Sequence, residues 1–134
     1  MTFIDTNVFV YYVDVRDQTK RLAAKLIIEA AIKNPNYLIS LQVLNEFANV
    51  ALKKLAMDET DVQTYLEEFA NIPISETHLS LSFKALEIRK RYGIQFYDSL
   101  LIAAAEENGC NEILSEDLTD GQVYCGVKVT NPFK

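Results

Sequence analysis

Tryptophan is absent from the 134 residues and histidine occurs once. A glycosidase could work with two carboxylates, but its sugar platforms usually need aromatic faces that the missing tryptophan would supply. With His78 alone, in a Thr-His-Leu-Ser helix start, neither a Ser/His/Asp set nor a zinc site assembles, and His78 reads as structural or solvated. Four glycines leave no room for a phosphate-cradling loop or a glycine-rich dinucleotide turn. The two cysteines, Cys110 and Cys125, are not at metal-ligand spacing and read as small apolar residues in a reducing compartment. No run approaches the roughly 18 uncharged apolar residues of a membrane span. Leu100–Ala105 and Val8–Val13 are the longest candidates, and no export leader is visible. The expectation is a cytoplasmic protein that does not enter the membrane.

An excess of positive charge is also missing. Net charge is −6, which argues against generic nucleic-acid binding through a basic surface. Bound divalent cations would offset part of that charge. The Lys and Arg also cluster, as Lys20, Arg21, Lys25 and Lys33, then Lys53 and Lys54, then Lys84, Arg89, Lys90 and Arg91. Each group is explained by a solvated helix face, though a local basic rim stays open.

What is present is an alternation of short apolar runs and longer helical periods. Strands are expected at Thr2–Ile4, Tyr37–Ile39, Glu112–Leu114 and Val127–Val129. Ile72-Pro73-Ile74 suits a short extended segment outside the sheet centre, because proline cannot donate to a ladder. Helices are expected over about 8–13, 19–33 with Thr19 as cap, 41–56 with Ser40 as cap, 60–70 started by Asp58 or Thr60, 77–91 and 97–108. Such alternation predicts one α/β domain over 1–134, a three-layer α/β/α arrangement with a short, mainly parallel central sheet. Ligands of such sheets bind beyond the carboxyl ends of the strands.

Most of the nineteen acids sit on polar helix faces, but four do not. Asp5 follows Phe3-Ile4 at the end of the first strand, where capping the next helix would also explain it. Glu46 lies about 60° around its helix from Val43 and about 40° from Val50, at the edge of the apolar stripe, while Asn45 and Asn49 take the wet face. A salt bridge is the alternative there. Asp98 opens the apolar Leu100–Ala105 helix, where a cap or dipole role competes. Asp117 follows the Glu112–Leu114 strand, where turn formation with Asp120 before Gly121 competes. Each is ambiguous alone. Together they converge on one sheet edge, where ionised carboxylates raise one another's pKa unless cations are bound. Hard oxygen donors suit Mg²⁺ or Mn²⁺, and such ions can hydrolyse a phosphodiester.

The set Ile4-Asp5-Thr6-Asn7-Val8, Glu46, Tyr97-Asp98-Ser99-Leu100-Leu101-Ile102-Ala103-Ala104-Ala105 and Ser115-Glu116-Asp117-Leu118 resembles the PIN-domain ribonucleases. It is most similar to their VapC-like branch, the toxins of bacterial toxin–antitoxin pairs. The likeness runs from the first strand to Val129-Thr130-Asn131-Pro132-Phe133. It implies a catalytic, metal-holding quartet of Asp5, Glu46, Asp98 and Asp117, with Asn7 and Ser115 as supporting polar residues. Ser99 stands where the family often has alanine, and Asp120 is an additional acid without an assigned role. The resemblance further implies an Mg²⁺- or Mn²⁺-dependent endoribonuclease acting on RNA by direct hydrolysis, a homodimer, and inhibition by a small antitoxin protein. A catalytically silent module that docks RNA or protein is one alternative. A metal-dependent DNA nuclease or phosphatase on the same scaffold is another.

Overall fold

A computed structural model describes residues 1–134. Twelve elements follow one another: β1 (Thr2–Ile4), α1 (Thr6–Val13), α2 (Gln18–Lys33), β2 (Tyr37–Ser40), α3 (Leu41–Lys53), α4 (Glu59–Phe69), β3 (Ile74–Ser75), α5 (Leu79–Tyr92), α6 (Phe96–Glu107), β4 (Glu112–Leu114), β5 (Val123–Tyr124) and β6 (Val127–Thr130). The expected elements are all present. The additional one is β5, two residues pairing antiparallel with β6 through a tight turn at Cys125-Gly126. Both turn residues have positive φ, 51° and 79°, a conformation glycine accepts freely and cysteine does not.

The strand order is β3-β2-β1-β4-β6-β5, and every pairing except β5 with β6 is parallel. The Pro73 segment enters the sheet only at its outer edge, as β3, where a missing donor costs least. The topology then fixes the layers. The connections β1 to β2 and β2 to β3 step outward in one direction, whereas β3 to β4 returns across β1 to the other side. Right-handed crossovers place the first two connections on one face and the third on the opposite face. The packing agrees: α1 meets α2 and α3, α3 meets α4, and α5 pairs with α6. The result is a three-layer α/β/α arrangement. The winding reverses between β1 and β4, which makes their carboxyl ends the switch point where such sheets open a crevice.

The two helical layers are filled differently. Phe9, Phe47 and Phe69 are fully buried and meet edge-on, with Tyr12 and Tyr65 packed around them. On the other face Ala103, Ala104 and Ala105 let α6 approach the sheet closely, and α5, with Ala85 buried, packs against α6. Helix starts differ from expectation in one respect. α2 is capped by Asp17, which accepts from the Lys20 amide, and not by Thr19, which lies inside the helix. At α4, where the sequence allows either Asp58 or Thr60 to start the helix, Asp58 is the cap. Both cysteines are free thiols, and no helix is long and apolar enough to cross a membrane.

Candidate functional site

Asp5 is the last residue before α1, immediately beyond β1, and is only 3% exposed. Its Oδ1 accepts from the Thr6 amide at 2.6 Å, so it does serve as the cap of α1. Its Oδ2 accepts from Ser115 Oγ at 2.7 Å across the β1–β4 switch point. Ser115, fully buried after β4, also accepts from the Asp117 and Leu118 amides at 3.2 and 3.4 Å. One hydroxyl thus ties Asp5 to the loop that carries Asp117. Thr6 Oγ1 donates to Glu46 Oε2 at 3.4 Å, and Gln42 Nε2 donates to Glu46 Oε1 at 2.6 Å. Gln42 reaches the carbonyl of Tyr97 as well, at 3.3 Å, bridging α3 to the start of α6. Asp98 stands half-buried in the first turn of α6.

The four acids therefore share one region. Glu46, Asp98 and Asp117 line a cleft of about 890 Å³, and Asp5 lies beneath them. Asp5 and Asp98 feel the charges of the other two. Burial pushes Asp5 up to about 6, against hydrogen bonds from Ser115 and Thr6 that pull it down, and the charges of Asp117 and Glu46 add to the rise. Asp98 is also held above the usual carboxylate range, first by burial and then by Asp117 and Glu46. No three of these acids close on a common point, so the set is open and not a finished cage. Mg²⁺ tolerates this, because it keeps several waters and usually binds through one or two carboxylates plus substrate phosphates. Asn7 supplies a further test of fit. Its Oδ1 accepts from the Glu116 amide at 3.3 Å, while its Nδ2 is buried without a partner. An unsatisfied buried donor beside the Asp5 loop suits a bound water or ligand oxygen. Donor chemistry, mutual repulsion and the orphan amide all fit a hydrated divalent cation.

Asp120 stays outside the cleft: it accepts from the Asn131 amide at 2.9 Å and pairs with Lys134 at 3.1 Å. No Lys or Arg lines the cleft. Lys20 is held by Glu116 at 2.7 Å and Lys84 by Glu106, so the open possibility of a basic rim is not realised in the cleft wall. Its lining is mostly neutral and polar, with Gln42, Asn45, Asn49, Ser75, Thr77 and Gln95 among it. Sequence reasoning missed Thr6 and Gln42 as supports of Glu46. Gln42 was findable from its i, i+4 spacing to Glu46; Thr6 was not, because the contact spans two elements. His78, read as structural or solvated, lies at the rim, with Nε2 2.8 Å from Glu107 and Nδ1 bonded to Ser80 Oγ.

The family model of the PIN domain matches residues 2–119. The chain belongs to the PIN domain family. Solved PIN-like structures share the fold at low identity. A toxin–antitoxin complex from Klebsiella pneumoniae gives a TM-score of 0.74 at 20% identity, covering 98% of this chain and 98% of that one. VapC20 of Mycobacterium tuberculosis, a toxin that cleaves the sarcin–ricin loop, gives 0.69 at 17% identity over 87% of this chain and 92% of its own. VapBC2 from Rickettsia felis, bound to a DNA fragment from its promoter, gives 0.69 at 18% over 97% of each chain. No curated protein matches the sequence. In this PIN domain, the acids collect at the switch point that the sheet topology creates.

Proposed function

We propose that this PIN domain is a divalent-metal-dependent endoribonuclease, the toxin of a toxin–antitoxin pair. The observation that carries the reading is the convergence of Glu46, Asp98 and Asp117 on one polar cleft with buried Asp5 beneath it. Asp5 and Asp98, held above the usual carboxylate range by burial and by the charges of Asp117 and Glu46, are stabilised most by a cation. The reading of RNA as substrate is supported by the similarity to a toxin that cleaves the sarcin–ricin loop. An antitoxin partner is supported by the similarity to toxin–antitoxin complexes. A homodimer and a cytoplasmic location follow from the same VapC-like reading.

Asp5, Asp98 and Asp117 would hold Mg²⁺ or Mn²⁺, and Glu46 would do so directly or through water. When bound, the ions supply charge stabilisation at the phosphate and lower the pKa of water. The protein's own part is positioning. Ser115 fixes the Asp5 carboxylate by donating to Oδ2, and its oxygen holds the loop of Asp117 by accepting two amides. Gln42 and Thr6 hold both oxygens of Glu46, so that its carboxylate faces the cleft in one orientation. Asn7 offers its free Nδ2–H to a water or phosphate oxygen. Hydrolysis proceeds by direct attack of water on phosphorus, without a covalent enzyme intermediate.

The test is incubation of purified protein with structured and single-stranded RNA, with DNA and with a phosphomonoester, in Mn²⁺ and in EDTA. RNA cleavage that stops in EDTA and in Asp5→Asn is expected. Cleavage that survives both would sink the metal assignment, and a preference for DNA would overturn the substrate.

A further inference from the structure

RNA phosphates are commonly met by Lys and Arg, yet none lines this cleft. A lysine placed there would pair with Glu46, Asp98 or Asp117 and compete with a divalent cation for them. Another source of positive potential is available. Of the six helices, four have their first amides engaged by a side chain: Asp5 on α1, Asp17 on α2, Ser40 on α3 and Asp58 on α4. The two without a capping side chain, α5 and α6, both begin at the cleft, through Thr77 and His78 in one and through Gln95, Tyr97 and Asp98 in the other. At α6 the first turn carries Asp98, whose carboxylate already meets the positive end. At α5 the first turn has no acid, and the Leu79 and Ser80 amides donate to no acceptor in the protein.

A second unsatisfied group lies just upstream in the chain, on the cleft wall. Ser75 ends β3, lines the cleft and is 7% exposed, and its Oγ is buried without a hydrogen-bond partner. Its register partner on β2, Ser40, spends its hydroxyl on the Val43 amide. The two serines sit side by side at the carboxyl edge, and only Ser75 is unsatisfied. Three residues, Glu76, Thr77 and His78, separate it from Leu79. Glu76 is exposed and does not line the cleft, so the wall facing the ligand carries no charge of the wrong sign from this loop.

We propose that the β3–α5 junction is a phosphate subsite. The N–H groups of Leu79 and Ser80 and the hydroxyl of Ser75 receive a phosphodiester of the RNA chain away from the bond that is cut. The site rests on the ribonuclease reading for its ligand. A helix N-terminus presents oriented amides and a partial positive charge that no neighbouring carboxylate can draw away, as it could a mobile side chain.

Two arms test it. In EDTA, ¹⁵N-labelled protein titrated with inorganic phosphate should show saturable shifts at the Leu79 and Ser80 amides, lost in Ser75→Ala. For RNA, the non-cleaving Asp5→Asn protein is the background. Leu79→Pro removes one donor at the first helical position, which proline accepts, and His78 before it is already extended (φ −152°, ψ 160°). Circular dichroism checks that the helix survives. Leu79→Pro and Ser75→Ala should each weaken single-stranded RNA binding about tenfold, the loss expected for a hydrogen bond to a charged group. Absence of saturable shifts at those amides, or shifts unchanged in Ser75→Ala, overturns the site. Phosphate binding with RNA affinity unchanged in both variants overturns the RNA backbone as its ligand. Because the phosphate arm needs no cleavage, it reads independently of whether the chain proves to be a ribonuclease.

Discussion

The aromatic cluster under α1, α3 and α4 and the carboxylate cleft at the β1–β4 switch point lie at opposite ends of one physical scale. In the cluster, Phe9, Phe47 and Phe69 lose all contact with water and their rings meet edge-on at 4.7 and 5.0 Å. Tyr12, at its margin, still satisfies its hydroxyl on Glu68 at 2.6 Å. Every contact there favours the folded state. At the cleft, a carboxylate is buried beside two others, and an amide and a hydroxyl nearby lack partners. Such groups disfavour folding unless something binds. The stable region holds the sheet and helices still, so that the strained region can wait for a ligand.

The largest break in that comparison is in the cluster. Phe69→Ala removes a ring that touches Phe9, Tyr12, Phe47 and Tyr65 at once. A loss of roughly 3–5 kcal/mol is expected from urea unfolding, from lost transfer and the cavity left behind. A loss under about 1 kcal/mol would show that the layer relaxes and that the cluster is not what anchors the fold.

At the cleft the sign should reverse. The carboxyl of Asp5 titrates near 6 in the folded chain, above its ordinary 3.8. A raised acid stabilises the fold below its unfolded pKa and loses that contribution as pH rises through the folded one. Metal-free protein should therefore gain about 1.3 kcal/mol of stability from Asp5 as pH falls from 7 to about 5, approaching about 3 kcal/mol only below pH 3.8. Asp98 adds in the same direction. Glu116 and Asp14, which are held low, oppose this only below the ordinary carboxylate range. Asp5→Asn should melt higher than wild type in EDTA at pH 7.5 and keep only the smaller pH dependence that Asp98 contributes. Saturating Mn²⁺ should raise wild type and not the variant. A lower melting temperature for Asp5→Asn in EDTA would mean that the carboxylate stabilises the fold as a cap more than burial penalises it.

The scaffold was legible because its signals are local. Apolar runs end at Asp5 and Ser40, Pro73 confines its strand to the edge, and helical spacing marks each helix to within a few residues. What escaped depends on contacts between distant residues or on competition between neighbours. Thr19 and Asp17 both qualify as caps, and only the backbone at residue 17 decides. The two-residue β5 is too short to show a period. The clustering of Lys and Arg along the sequence said nothing about which face they take, and Lys20 and Lys84 are spent on Glu116 and Glu106. The convergence of the acids was legible only as a class of position, because which strands are neighbours is set by the β3-to-β4 return across the sheet. The unpartnered Ser75 and Asn7 atoms have no sequence signature.

The smallest effect separates the two regions at their border. Tyr11 Oη donates to Glu116 Oε1 at 2.5 Å, and Lys20 Nζ pairs with Glu116 Oε2 at 2.7 Å and reaches Tyr11 Oη at 3.2 Å. The ring of Tyr11 packs on Phe133, and Lys20 lies over its face at 4.8 Å. This network clamps α1 and α2 to the loop between Ser115 and Asp117, yet it is partly exposed, so solvent screens the ion pair. Tyr11→Phe keeps the ring contacts and removes one hydrogen bond to a charged acceptor, and about 1 kcal/mol of stability should be lost. The informative reading is cleavage. If the network only supports the fold, the rate at saturating RNA is unchanged. If it sets the loop of Asp117, the rate at saturation falls several-fold while the affinity for RNA holds. The Glu116 amide also donates to Asn7, so a shift of this loop reaches both flanks of the cleft together. That coupling favours the second outcome, with the border belonging mechanically to the site and not to the core.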